Sequence, residues 1–479
     1  MTGTAPGGAA YAQAVDHVRE GFAALPADAP VRLRKRTSNL FRFREGSGGL
    51  EVEGLDRVLA VDPVRRTALV GGMTTYEDLV AATLPHGLMP LVVPQLKTIT
   101  LGGAVVGLGI ESTSFREGLP HESVLAADVL IGTGEVVRAA PDEHADLLAG
   151  LPNSYGTLGY ALRLEIELAP VLPFVALRHV RFDTAVDTAA ALAEITATGM
   201  WDGERVDFCD ATVFSADEHH VSVGRMVNTA PWLSDYTGQG IYYRSLQDLP
   251  HDAATPSGRP TARDFLSIHD YLWRWDTDWF WCSRALGVQH PVVRRLWPAR
   301  WRRSDVYRRV VALDRRVGLS QALARRSGAN GVEPVIQDVE VPVERLPEFL
   351  AFFHAEVGIS PVWLCPLRAR GTKRSGADAD EDRDERRWPL YPLEPGVTYV
   401  NVGFWSDAEL APGQARDHHN RRIEEVLMAS GGHKSLYSTS SYTRAEFDTL
   451  YGGATYRELK ARYDPQGRLA DLYTKCVTG

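Results

Sequence analysis

Apolar residues recur along the chain at two spacings. Ala14, Val15, Val18, Phe22 and Ala23 fall at helical intervals, which predicts an amphipathic helix over residues 11–24. The β-branched runs Val58–Val61 and Thr67–Val70, parted by Asp62-Pro63, predict strand, turn and strand. Thr74–Thr75, with Glu77 and Asp78 behind them, predicts a capped helix over Tyr76–Leu84 that Gly87 closes. Leu91–Val93 predicts a short strand. Val124–Ile131, a Gly-Thr-Gly-Glu turn and Val136–Val137 predict a hairpin, and Ala161–Leu168 alternates as a strand does. Beyond Phe174 the runs Ala176–Phe182, Arg205–Phe208, Val335–Val341, Val362–Leu364 and Thr398–Val402 predict strands. Helical patterns at Ala185–Ala197, Val343–Glu356 and Ala415–Ser430 lie among them. The pattern predicts an α+β chain with two sheets, the second covered by helices on one face. It divides into residues 1–173, 174–440 and a helical tail, 441–479.

Composition narrows the class. A chain of 479 residues is long for one core. Its net charge of −9 argues against a nucleic-acid partner. Cys209, Cys282, Cys365 and Cys476 are scattered, without a zinc-site spacing, which suits a reduced cytoplasmic protein without a metal centre. No run of about 18 apolar residues is present to span a membrane, and the first residues do not read as a signal peptide. The preference for arginine over lysine, with abundant alanine, hints at a GC-rich bacterial genome. Residues 368–387, with their charge run from Asp378 to Arg387, read as a solvated loop.

Chemistry concentrates in residues 98–118, which hold Gly102, Gly103, Gly107, Gly109 and Gly118 among small and hydroxyl residues. Such a stretch can bring backbone N–H groups against a phosphate and a flat ring. Neither a dinucleotide fingerprint nor a P-loop is present. The run Thr100-Leu-Gly-Gly-Ala-Val-Val-Gly-Leu-Gly-Ile-Glu-Ser112 and the later Ser154-Tyr-Gly-Thr-Leu-Gly159 resemble the FAD domain of the vanillyl-alcohol oxidase and p-cresol methylhydroxylase flavoproteins. Ile336-Gln-Asp-Val-Glu-Val-Pro342, Pro361-Val-Trp-Leu-Cys-Pro366 and Leu450-Tyr-Gly-Gly extend the likeness to the delta-24-sterol reductase branch. With a GC-rich composition and no membrane-spanning run, the chain also resembles the flavin reductases of methylene-branched acyl chains.

The resemblance implies an FAD-dependent oxidoreductase that reduces an isolated C=C of a lipid, with NADPH as electron donor. A lipid methyltransferase would act before it. Thr100, Leu101, Gly102, Gly103, Gly107, Gly109, Ile110, Glu111, Ser112, Gly118, Ser154, Gly156, Thr157 and Gly159 become the expected FAD contacts. Arg32–Gly48 contains no histidine for a covalent flavin link, so FAD is expected to bind non-covalently, and Arg32, Arg34, Lys35 and Arg36 suit its pyrophosphate.

No carbonyl polarises an isolated alkene. The expected order is therefore a proton from a side chain, then hydride from flavin N5 to the tertiary cation. Asp338, Cys365, Tyr399 and Glu111 are the candidate catalytic residues, with Glu340 sharing a strand face with Asp338. Trp363 and Asn401 are candidate substrate contacts, and His121 is expected to hydrogen-bond the adjacent hairpin. Residues Tyr271–Arg316 combine Trp273, Trp275, Trp279, Trp281, Trp297 and Trp301 with a dense set of arginines (Arg294, Arg295, Arg300, Arg302, Arg303, Arg308, Arg309, Arg315 and Arg316), a pattern that suits an anionic membrane surface. Two rival readings are an alcohol or sugar-lactone oxidase on the same fold and a flavin-free lipid-binding scaffold.

Overall fold

A computed structural model describes residues 8–35, 49–238, 240–248, 255–278, 282–317, 331–370, 372–373, 383–384 and 388–478. Residues 36–48, Trp279, Trp281 and most of the charge run at 378–387 lie outside them.

The first sheet is built from β1 (Val58–Asp62), β2 (Thr67–Gly71), β3 (Leu88–Pro90), β4 (Val124–Leu130), β5 (Val136–Ala139) and β6 (Tyr160–Pro170). Its order is β1-β2-β6-β4-β5, with β3 against the end of β6. The helix α1 (Gly8–Ala24) buries Tyr11, Ala14, Val18 and Phe22 beside this sheet. Helix α2 (Tyr76–Thr83) starts where the Thr75 hydroxyl accepts from Asp78 N. The strand expected at Leu91–Val93 is three residues early, at Leu88–Pro90. Those three residues register with Leu168–Pro170, and the chain then bends toward Pro94, which has no N–H to continue a ladder.

The second sheet has eight antiparallel strands: β7 (Phe174–Phe182), β8 (Phe208–Ser215), β9 (Glu218–Val227), β10 (Thr261–Ser267), β11 (Val332–Pro342), β12 (Val362–Leu367), β13 (Tyr399–Glu409) and β14 (His433–Lys434). Their order is β10-β7-β9-β8-β12-β13-β11-β14. The chain pattern does not announce β9 or β10, and β8 begins at Phe208, where a strand over 205–208 was expected. The two-period alternation splits this sheet cleanly. Val335, Val339, Val341, Val362, Leu364, Val400, Val402 and Phe404 face one core, together with the helices at Ala185–Thr198, Leu346–Phe352 and His418–Ala429. Trp363, Cys365 and Phe208 face a second core shared with the first sheet.

The tail returns to the first unit through helices at Arg444–Leu450 and Gly453–Tyr463. Lys460 Nζ donates to Thr157 O (2.7 Å), and Val31 N donates to Arg468 O (2.8 Å). Among the described residues no helix is long and apolar enough to cross a membrane.

Candidate functional site

The glycine-rich run folds as a short helix, α3 (Leu101–Gly107), followed by an extended stretch. The Thr100 hydroxyl caps it by accepting from Gly103 N (3.2 Å). Gly102 N donates to Gly72 O (2.9 Å), and a Cβ at Gly102 would lie 2.7 Å from that same oxygen. A side chain at 102 would therefore push the helix off β2. Leu101 is buried, whereas Gly107–Ile110 are half-buried, and Leu108–Ile110 lie outside helix and strand.

Leu108 (φ 67°), Asn153 (φ 60°) and Tyr155 (φ 51°) all adopt left-handed backbone, which costs each of them about 1 kcal/mol or more. Tyr155 lies against the glycine run: its N donates to Val106 O (2.8 Å) and its hydroxyl to Gly107 O (2.8 Å). The Tyr155 ring lies close over Gly107, where a Cβ would stand in van der Waals contact with it at 3.4 Å. Half-buried backbone with strained non-glycine residues beside it is the kind of surface a planar cofactor ring would need.

Other expected contacts have local duties. The Ser154 hydroxyl donates to Leu151 O and the Thr157 hydroxyl to Ser154 O, so both are spent on the turn that holds Gly156 and Gly159. Gly118 (φ 71°) lies against Glu122, whose carboxylate accepts from Leu119 N (2.8 Å). His121 does not bond the hairpin. It is buried edge-on to Trp388 at 4.6 Å, neither ring nitrogen finds a partner among the described residues, and burial pulls its pKa down to about 3. The imidazole therefore sits neutral.

Ile110 leads into a buried charge centre. Arg274, 0 % exposed, donates from Nη2 to Glu111 Oε1 (2.6 Å) and to Asp210 Oδ2 (2.8 Å). Asp210 also accepts from the indole N–H of Trp275 (3.2 Å) and of Trp363 (3.1 Å). Ser112 N donates to Glu111 Oε1 (2.8 Å), and the Ser112 hydroxyl meets that of Tyr271 (3.0 Å). Glu111 Oε2 has no partner among the described residues. Burial raises the Glu111 pKa, and the Arg274 charge opposes the shift.

A second acidic centre lies on the same sheet face. Registers β12–β13–β11 align Trp363, Gly403 and Asp338 in one row and Cys365, Asn401 and Glu340 in the next. Asn401 Nδ2 donates to Asp338 Oδ1 (3.1 Å), and Asp338 also hydrogen-bonds Tyr437. Burial raises the Asp338 pKa against those two bonds. The Glu340 carboxyl accepts from Ser435 (3.0 Å) and is held well above its ordinary range, by burial first and by the Asp338 charge as well. Burial pushes the Cys365 thiol well up, which makes it a poor acid. The Tyr399 hydroxyl accepts from Glu394 N (3.2 Å) and so is tied to a loop.

Gly403 makes this face possible: a Cβ there would fall 2.5 Å from Asp338 Oδ1 and 3.1 Å from the Trp363 ring.

Asp210, Arg274, Tyr155 and Tyr437 were not among the expected site residues. A lone acid in the apolar run Phe208–Phe214, and an arginine between two tryptophans, are signals that could have found the first pair, because buried charges require partners. Tyr155 and Tyr437 carry no local signal.

The family described as FAD binding domain matches residues 6–140. The chain carries an FAD-binding domain. This flavoprotein is 24% identical to the human (Homo sapiens) Delta(24)-sterol reductase over 439 residues, which covers 89% of this chain and 75% of that one. It is 25% identical to the Arabidopsis thaliana Delta(24)-sterol reductase over 449 residues, covering 88% and 75%. Cytokinin dehydrogenase 2 of Oryza sativa subsp. japonica is 35% identical over 136 residues, only 28% of the flavoprotein and 23% of that enzyme. The longer likeness thus spans both sheets, whereas the cytokinin dehydrogenase match is short.

Proposed function

We propose that this FAD-dependent oxidoreductase reduces an isolated C=C of a lipid, with Asp338 as the proton donor. The observation that carries the reading is likeness to enzymes named Delta(24)-sterol reductase over about nine-tenths of the chain, joined to an acid of raised pKa on an aromatic-lined sheet face. Bound FAD in its reduced form supplies hydride. The protein's own residues supply the rest. Burial raises the Asp338 pKa and so favours the protonated carboxyl that a donor needs. Asn401 and Tyr437 fix the carboxyl's orientation. The Trp363 indole, tied by its N–H to Asp210, presents a π-face that steadies a tertiary cation by about 2 kcal/mol once water is excluded. Gly107–Ile110 and Tyr155 form the cofactor's bed, and Glu111–Arg274–Asp210 holds that bed against the sheet.

The substrate we favour is a methylene-branched acyl chain, with a sterol side chain as the second candidate. Each gives a tertiary cation on protonation. NADPH is the proposed electron donor, and a lipid methyltransferase the proposed preceding enzyme. The decisive test reduces the flavin anaerobically and adds a methylene-branched acyl lipid, a Δ24 sterol or oxygen in separate cuvettes. Reoxidation by either alkene supports the reading and names the substrate class. Reoxidation by oxygen alone returns the protein to the alcohol-oxidase reading.

Membrane docking is part of this proposal, on a smaller surface than Tyr271–Arg316. Trp273 and Trp275 are core residues. Arg294 is buried on Asp278 (2.7 Å), Arg302 donates to Trp297 O and Thr237 O, and Arg303 forks onto Glu77 (2.9 and 2.8 Å). The candidate surface is the exposed Val292, Leu296 and Trp301 with Arg295 and Arg300.

A further inference from the structure

Away from both acidic centres, a cleft of about 370 Å³ opens between Phe214 at the end of β8, the helix Tyr242–Asp248, Arg284 and the Ser360–Pro361 entry to β12. Arg244 and Arg284 both line it, with Gln247 and Tyr243. Among the described residues no carboxylate pairs with either guanidinium. The acid beside the cleft, Glu218, is engaged by His220 (3.2 Å) and by the Gln247 amide (3.4 Å). Two cations share a mainly polar recess with no counter-charge of their own among the described residues, an arrangement that selects an oxyanion.

The recess and the reaction face lie on the same strands of the second sheet. Phe214 lies four residues beyond Asp210, on the same side of β8, so about 13 Å of strand separates them. Pro361 lies two residues before Trp363, and Tyr242, next to Tyr243, meets the Trp275 ring edge-on at 5.0 Å.

We propose that this cleft holds the oxyanion at the polar end of the lipid substrate, a phosphate diester or a carboxylate, while the chain runs along the sheet face toward Trp363. The proposal rests on the lipid-reductase reading and adds a specificity rule to it. The enzyme measures the alkene's position from the anionic end.

The test uses the full flavin-loaded protein and probes that contain no alkene. Dihexanoylphosphatidylglycerol, hexanoate, methyl hexanoate and inorganic phosphate are titrated while tryptophan fluorescence is read. Saturable binding of the phospholipid or of hexanoate is expected, with none by methyl hexanoate. The preferred probe tells a phosphate end from a carboxylate end. The double variant Arg244→Ala/Arg284→Ala should weaken that binding at least tenfold and leave the flavin spectrum unchanged. Binding of inorganic phosphate alone, or equal binding by wild type and double variant, overturns the site. Because the probes cannot be reduced, a protein that binds them but leaves alkenes untouched keeps the site and loses the reductase reading.

Discussion

Asp338 and Glu340 are two carboxyls on one strand face whose pKa values burial raises, and their pH behaviour follows from that. A proton donor must enter the reaction protonated, so turnover should fall as pH rises through the raised Asp338 pKa. Asp338→Asn keeps the shape and the Asn401 contact but loses the proton. Turnover should drop by about two to four orders of magnitude while the flavin spectrum stays intact. Near-normal turnover would move the role to Glu111, whose Oε2 has no partner among the described residues.

Stability carries the same sign. The folded protein binds more protons than the unfolded chain wherever its carboxyl pKa values are raised. Stability from these groups is complete below the ordinary carboxylate range and is lost as pH rises through the raised values. Glu340→Gln, which cannot ionise, should flatten that loss in a series of melting curves. An unchanged slope would show that Glu340 does not titrate in this window. These acids were visible in the sequence as Asp338 and Glu340 on a period of two. Their partners were not, because Tyr437 and Ser435 reach them from a segment about a hundred residues later.

At the scale of elements, α3 is a helix that would hardly form alone: seven residues, three of them glycine. It is held by the Thr100 cap and by glycine-to-glycine contact with the end of β2. Gly102→Ala should therefore cost about 1–3 kcal/mol, the usual scale of an overpacked core, and loosen the flavin. A thermal melt and the bound-flavin ratio check both. An unaltered melt would mean that α3 can slide without loss. Gly103 differs, because a Cβ there meets the Thr100 hydroxyl at 2.8 Å, so a side chain at 103 would act through the cap.

Elements with strong periodicity were legible: the helix at Tyr76–Thr83, the hairpin β4–β5 and the strands β11 and β12. Strands β9 and β10 were not. His219, His220, Ser222, Arg263 and Asp264 interrupt their apolar pattern, and these strands owe their place to pairing with β7, a tertiary effect.

Across the whole molecule, the sequence made the cofactor class readable through one run of glycines, while the charge centre that joins the two sheets stayed hidden. Its three members, at 111, 210 and 274, are far apart in the chain. Acid precipitation should leave all flavin in the supernatant, since no histidine occurs in Arg32–Gly48 to bond it. Colour left in the pellet would refute non-covalent binding. Docking should be seen as sedimentation with anionic vesicles that fades with salt, as the screening length shrinks to about 3 Å at 1 M. Arg295→Glu/Arg300→Glu should abolish it at unchanged flavin content, because each cation near the surface contributes about 1 kcal/mol. Equal sedimentation with neutral vesicles would assign the contact to the exposed leucine and tryptophan alone.

The Glu111–Arg274–Asp210 centre also limits how such proteins can be recombined. A chimera that takes its glycine-rich half from one relative and its sheet half from another inherits the two acids from different parents. If the incoming half lacks the arginine, two carboxylates are sealed together without a cation, at a cost of about 3–5 kcal/mol for the broken pair. The natural boundary for exchange is therefore not the junction near residue 173. All three positions must therefore be exchanged as a set, so that no crossover leaves the two acids without their arginine.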